Sequence, residues 1–179
     1  MENIIYRELN VKDIKSNLLD NFNRYQEIKR CYRFENGSWI IKDNAYEENW
    51  DKNRKDNKTI KFKNILDAGF GYIFGAFDNN ALIGYAVLFN KTFGSKRQYI
   101  QLFSLQVSFG YRNRGIGKKL FGFCIEKAKS NNVKKLYISA NSSEETIKFY
   151  FSIGCKDAIE INKEQAEEEP FDRQMEYEI

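Results

Sequence analysis

The chain holds no histidine, one proline and three cysteines in 179 residues. Without histidine it lacks the commonest general base and the commonest metal ligand. Ser-His-Asp and Cys-His nucleophile systems are therefore excluded, and no metal centre is expected. Cys31, Cys124 and Cys155 are scattered, none in a CxxC pair, and an odd count does not build a disulfide framework. No apolar run approaches the ~20 residues of a membrane-spanning helix, and the opening MENIIYRELN has no signal-peptide character. The expectation is a cytoplasmic protein with no membrane partner. Its chemistry has to run on carboxylates, Tyr, Ser, Lys, backbone amides and the ligand itself.

What is present sets further bounds. Apolar residues make up 42% and aromatics 16%, enough for a full core over one domain spanning residues 1–179. The net charge of +4 comes from 29 basic and 25 acidic residues that are interleaved along the chain. A nucleic-acid binder concentrates its charge on one face, so this pattern reads as a mixed, solvated surface with no nucleic-acid partner. The densest basic run, residues 52–63, holds six Lys or Arg beside Asp51 and Asp56 and is expected as an exposed helix or loop.

Hydrophobic spacing outlines the elements. IIYREL at the start reads as a strand, and Val11, Ile14, Leu18 and Leu19 have helical spacing. Asn36-Gly37 between β-prone flanks predicts a hairpin, and Asp78-Asn79-Asn80 predicts a second one. Residues 45–68 are expected to form one or two helical segments burying Phe62, Ile65 and Leu66. RQYIQLFSLQVS and KKLYISA read as strands. GIGKKLFGFCIEKAKSNN reads as an amphipathic helix, and SSEETIKFYFSIG as a helix capped by Ser142 or Ser143 and closed by Gly154. CKDAIEI and RQMEYEI complete the set as strands. This order describes an α/β (α+β) fold, a sheet with helices on its faces.

The most informative stretch is GYRNRGIGK, residues 110–118, lying between a strand and a helix. Glycine inside a helix costs ~1 kcal/mol, so Gly115 and Gly117 at a helix start need a reason. One reason is a tight connection. The other is close approach: bare backbone N–H groups at a helix N-terminus cradle a phosphate, and Arg112, Arg114, Lys118 and Lys119 add positive charge at the same place. The pattern is neither a Walker loop nor a G-x-G-x-x-G dinucleotide fingerprint.

RNRGIG fits the R/Q-x-x-G-x-G/A signature of the GNAT superfamily of N-acetyltransferases, and here the chain resembles that family. LFSLQVSFGY resembles its fourth strand, AGFGYIFGAFDNNALIGYAVL the preceding hairpin, and NSSEETIKFYFSIGC its later strand-and-helix motif. The resemblance covers about residues 67–158. It implies a central mixed, mostly antiparallel, twisted sheet with helices on both faces, splayed between the strands at about 98–108 and 134–140, with acetyl-CoA as cosubstrate and no metal. Its pyrophosphate would lie on the backbone of Arg112, Asn113, Arg114, Gly115, Ile116, Gly117 and Lys118. Its pantetheine would lie along Leu105, Gln106 and Val107, and Asn141 and Ser143 would contact it. Tyr150 falls at the family's general-acid position. An amine would attack the thioester directly in a ternary complex. Family members often carry a carboxylate on the fourth strand, where this chain has Phe103 and Ser104. An alkylamine of pKa ~10.4 costs ~4.6 kcal/mol to deprotonate at pH 7. The help can come from Ser104 through water, or from Glu47, Glu48, Asp51 or Asp172.

Residues 25–51 distantly resemble the corresponding part of streptothricin acetyltransferases. Trp39, Glu47 and Trp50 are the expected acceptor contacts there, by cation–π and ion pairing with an amine. The expected partner is a small-molecule amine, with an aminoglycoside-like or streptothricin-like antibiotic as one class. Protein or peptide N-acetylation and a non-catalytic acyl-CoA sensor are the alternatives. Exposed C-terminal strand edges would support a homodimer, as in many relatives.

Overall fold

The computed structural model describes residues 3–179. A seven-stranded sheet runs in the order β1 (Ile5–Glu8), β4 (Gly71–Asp78), β5 (Ala81–Phe93), β6 (Tyr99–Val107), β7 (Lys135–Ala140), β9 (Arg173–Glu178) and β8 (Lys156–Asp157). Every neighbouring pair is antiparallel except β6–β7. A separate ribbon pairs β2 (Gln26–Glu35) with β3 (Ser38–Glu48). The helices are α1 (Lys52–Asp67), α2 (Ile116–Ser130), α3 (Glu144–Ser152) and α4 (Lys163–Glu168).

Both predicted hairpins form around two-residue turns. Asn36 and Gly37 have φ of 51° and 80°, and Asn79 and Asn80 have φ of 44° and 68°. Positive φ at both central residues matches the right-handed twist of the flanking strands.

Helices cover both faces of the sheet. On one face Phe74, Ala76, Ala86, Leu88 and Leu102 pack with Ile116, Leu120 and Cys124 of α2 and Ile147 of α3. On the other, Ile73, Phe77, Tyr85 and Val87 pack with Phe62 and Ile65 of α1 and with Leu19, Phe22 and Trp50. Among the described residues no helix is long and apolar enough to cross a membrane.

Three expectations change. The apolar spacing over 11–19 marks buried coil rather than a full helix: only Val11–Asp13 makes a 3₁₀ turn, boxed by Asn10 and Asp13. Ser16, Asn17, Asp20 and Asn21 follow, and such side chains compete with helical hydrogen bonds. The segment 45–68 divides into the end of β3 and a single helix, α1, whose N-cap Asp51 accepts from Arg54 N–H at 2.7 Å. The strand expected at CKDAIEI shrinks to two residues, and α4 lies beyond it.

Candidate active site

The site grows from a break in the sheet. β6 and β7 pair only from Tyr99↔Lys135 to Gln101↔Tyr137. Beyond Gln101 the two parallel strands diverge. A bulge coincides with the divergence: Val87 pairs with Ser104 but Leu88 with Leu102, which leaves Phe103 as the extra residue. The flank of β6 facing the gap thus carries unpaired backbone groups. Their direction follows from alternation. Ser108 N–H donates to Ile83 O on the β5 side at 2.8 Å, so the N–H groups of Leu105 and Val107 turn to the open side. Val107 O, also on that side, accepts from Arg112 Nε at 3.1 Å.

At the end of β6 the glycine turn leads into α2. Gly115 is the N-cap residue at φ 77°, a left-handed conformation that strains other residues, and a Cβ there meets nothing within 4 Å. A Cβ on Gly117 reaches Phe149 of α3 at 3.4 Å and Val107 at 3.7 Å. The first α2 N–H groups, those of Ile116, Gly117 and Lys118, find no acceptor among the described residues. Arg112 and Arg114 are held over the rings of Phe109 and Tyr111 at 5.6 and 5.1 Å. Asn113 turns the chain at φ 62°. An anion-sized cradle of bare N–H groups with fixed cations therefore opens where β6 is unpaired, and it fits a phosphate-bearing ligand.

Across the gap, α3 and the approach to β9 supply titratable groups. Tyr150 is buried, edge-on to Phe149 at 5.2 Å, and its hydroxyl makes no hydrogen bond among the described residues. Burial, then the neighbouring Cys155, Cys124 and Asp172, drives its pKa well above the ordinary phenol value. It stays a neutral donor. Asp172 accepts from Ser139 Oγ of β7 at 3.1 Å. Burial pushes its carboxyl up to about 6, with Glu169 and Glu48 adding to the rise against the Ser139 bond. A carboxyl titrating there is a poised base.

The other expected residues fall as follows. Ser104 lies beside the fully buried Tyr85, on the α1 face. Gln106 pairs with Tyr85 on β5. Asn141 Oδ1 accepts from Ser143 N–H at 3.0 Å. Ser143 is fully buried under β2, its Oγ on Thr146 Oγ1 at 2.8 Å, so it heads α3 and presents no surface to a ligand. Trp39 carries the Arg173 guanidinium over its ring at 4.7 Å, with Arg173 also paired to Asp157. Glu47 accepts from Tyr25 Oη at 3.1 Å. Of the remaining base candidates, Asp51 is engaged as the α1 cap and Glu48 is paired with the buried Arg24 at 2.6 Å.

Trp50 is surrounded by the protein's own cations: Lys58 at 5.4 Å, Arg24 at 5.9 Å and Arg54 at 6.0 Å from its ring. Lys61 lies 4.3 Å over Phe103, the bulge residue, and lines a groove of about 820 Å³ that runs past Phe89 and Gln101 to Ile161. Arg54, Lys58 and Lys61 recur at helical spacing, a signal present within the basic run 52–63.

Known proteins share this fold. In fold the chain is similar to a protein described as a streptothricin acetyltransferase from Bacillus anthracis, solved with acetyl coenzyme A: TM-score 0.71, 19% identity, covering 99% of this chain and 98% of that one. It is also similar to nourseothricin acetyltransferase, with TM-score 0.65 and 13% identity over 98% of both chains. A third is the PaiA N-acetyltransferase of Thermoplasma acidophilum with coenzyme A, at TM-score 0.57 and 15% identity over 99% of both. A search of curated proteins finds no match. The sequence profile of the acetyltransferase (GNAT) family matches residues 25–154, which take in the ribbon, the splayed strands, the glycine turn and α3. The chain belongs to the GNAT acetyltransferase family.

Proposed function

We propose that residues 1–179 act as one catalytic domain that transfers the acetyl group of acetyl-CoA to a primary amine of a small molecule, within a ternary complex. One observation carries the reading: the bare N–H cradle of α2 adjoins the unpaired flank of β6. Acetyl-CoA supplies an acyl group activated as a thioester. The backbone of Arg112, Asn113, Arg114, Gly115, Ile116, Gly117 and Lys118 holds its pyrophosphate. The open side of Leu105, Gln106 and Val107 holds its amide arm, and the N–H of Leu105 or Val107 donates to the carbonyl oxygen as it gains charge.

Asp172 takes a proton from the acceptor ammonium, directly or through water. Its pKa of about 6 leaves it ionised at neutral pH. The new C–N bond forms as the C–S bond breaks, and the second proton shed by the acylated nitrogen passes to the departing thiolate, giving the free thiol of CoA. Tyr150, kept neutral by burial, donates to the departing sulfur. A phenol is a weaker acid than a thiol, so the hydroxyl stabilises the thiolate by hydrogen bonding rather than by full transfer. No covalent enzyme intermediate is needed, which suits a chain without histidine. Calorimetric titration with acetyl-CoA, followed by CoA-thiol release over an amine panel that includes streptothricins, aminoglycosides and peptides, tests the reading. Binding without turnover on any amine would leave only an acyl-CoA sensor.

A further inference from the structure

We infer that the acceptor carries an anionic group, a carboxylate or a phosphate, on the same molecule as its amine, and that Lys58, flanked by Arg54 and Lys61, binds it on the α1 face of the splay. The inference rests on the acetyltransferase reading and deepens it.

Arg54, Lys58 and Lys61 sit one and two turns apart on α1 and converge on Trp50 and Phe103. None of the three side chains has a carboxylate partner among the described residues, and they lie over ring faces instead. Glu48 is taken by Arg24, which also holds Gln26 at 2.9 Å. Lys58 is half-buried among these like charges. Burial first, then Lys61, Arg54 and Arg24, pull its pKa down to about 8. Half-burying an ammonium among cations is costly, and ring faces return only part of what an anion would.

A second, independent vacancy in hydrogen bonding lies on the same face. Among the described residues the fully buried Tyr85 Oη has no well-formed hydrogen bond, although Ser104 is close enough to hold its pKa down somewhat against burial. Such groups in native structures usually answer to a ligand or an ordered water. Phe103, whose ring centre lies 4.3 Å from Lys61 Nζ and 6.0 Å from Lys58 Nζ, is the residue before Ser104 at the divergence of β6 and β7. On the other side of the gap stand Asp172 and Glu169. The cleft therefore has an acidic pole suited to the amine and a basic pole suited to an acid group on the same molecule. A polycation would set its remaining ammonium groups against Lys58 and Arg54.

The test uses the full chain. Acetyl-CoA binding is measured first by calorimetry; no binding sinks the acetyltransferase reading itself. CoA release is then followed on matched acceptors: amino acids against their amides, ω-amino carboxylates against the corresponding diamines, and phosphoethanolamine against ethanolamine. The acidic member of a pair should show at least ~10-fold higher kcat/KM, the factor expected from ~1.4 kcal/mol of charge recognition. The carboxylate and phosphate arms identify which acid is used. Lys58→Met should cut that advantage ~10-fold or more through KM, and Lys58→Arg should restore most of it. Lys63→Met, exposed on the same helix, is the control.

If Lys58→Met fails to fold, the wild type still answers. Inorganic phosphate or acetate should compete with the amine and protect Lys58 from reductive methylation at pH 8. Acetyl-CoA binding with turnover only on polyamines, streptothricin or amides would overturn the inference and leave the acetyltransferase reading standing. So would the absence of turnover on every acidic amine.

Discussion

Gln101 is the last residue of β6 to pair with β7, opposite Tyr137, and the strands part at the next residue. The consequence is a strand flank whose N–H groups end at the glycine turn. Gly117→Ala should leave coenzyme affinity within a few-fold, because its Cβ makes ordinary contacts with Phe149 and Val107. Gly117→Asp puts a carboxylate against the site proposed for pyrophosphate and should abolish binding. Parallel titrations of the two variants with acetyl-CoA check this; equal affinities would remove the site from the turn.

Tyr150→Phe should lower kcat by about 10²-fold, the usual scale for a positioned proton donor. Its acetyl-CoA affinity should change little. Because the hydroxyl has no protein partner among the described residues, the thermal midpoint should also hold. Unaltered turnover would refute the donor role.

As the proposed base, Asp172 should tie activity to pH. A base must be ionised, so kcat/KM should climb as pH rises through about 6 and then level off. Asp172→Asn should remove that limb and most of the rate. The folded pKa lies above the ordinary 3.8, so the unfolded state ionises more readily and stability falls as pH rises from about 4 to about 6. The Asn variant, spared this penalty and still able to accept from Ser139, should be at least as stable as wild type at pH 7. Thermal melts across pH 4–8 would show it.

Stability at the far end of the sheet hangs on Glu176. Fully buried, it receives Tyr99 Oη, Lys135 Nζ at 2.8 Å and Ile159 N–H at 3.1 Å. Burial alone would raise its pKa, but the bonds from Lys135 and Tyr99 hold it below 4.5. Glu176→Ala should cost about 3 kcal/mol, roughly 10 °C in Tm. The carboxylate's contribution is present above the ordinary value of 4.5 and lost as pH falls through the lowered one, so the gap to Glu176→Gln should narrow in acid.

Local chemistry made much of this legible in the sequence. Asn-Gly and Asn-Asn turns, the spacing of Ile116, Leu120 and Cys124, and glycines beside arginines all act within a few residues. What stayed hidden depends on distant segments. The Phe103 bulge arises from pairing with β5. Four carboxylates were equal candidates for the base until the cap bond of Asp51, the Arg24 pair of Glu48 and the Tyr25 bond of Glu47 set Asp172 apart. The basic run 52–63 reads as a solvated helix face, and only the fold turns Arg54, Lys58 and Lys61 toward Trp50 and Phe103. The apolar spacing near residue 14 misleads as a helix because burial in coil leaves the same mark.

The cradle of Gly115–Lys118 and the open flank of β6 are proposed to bind one acyl-CoA. Calorimetric titration of the full chain with acetyl-CoA tests it most directly. Saturable binding of one equivalent per chain is expected, lost in Gly117→Asp. No binding to the wild type, or unchanged binding to that variant, would contradict it.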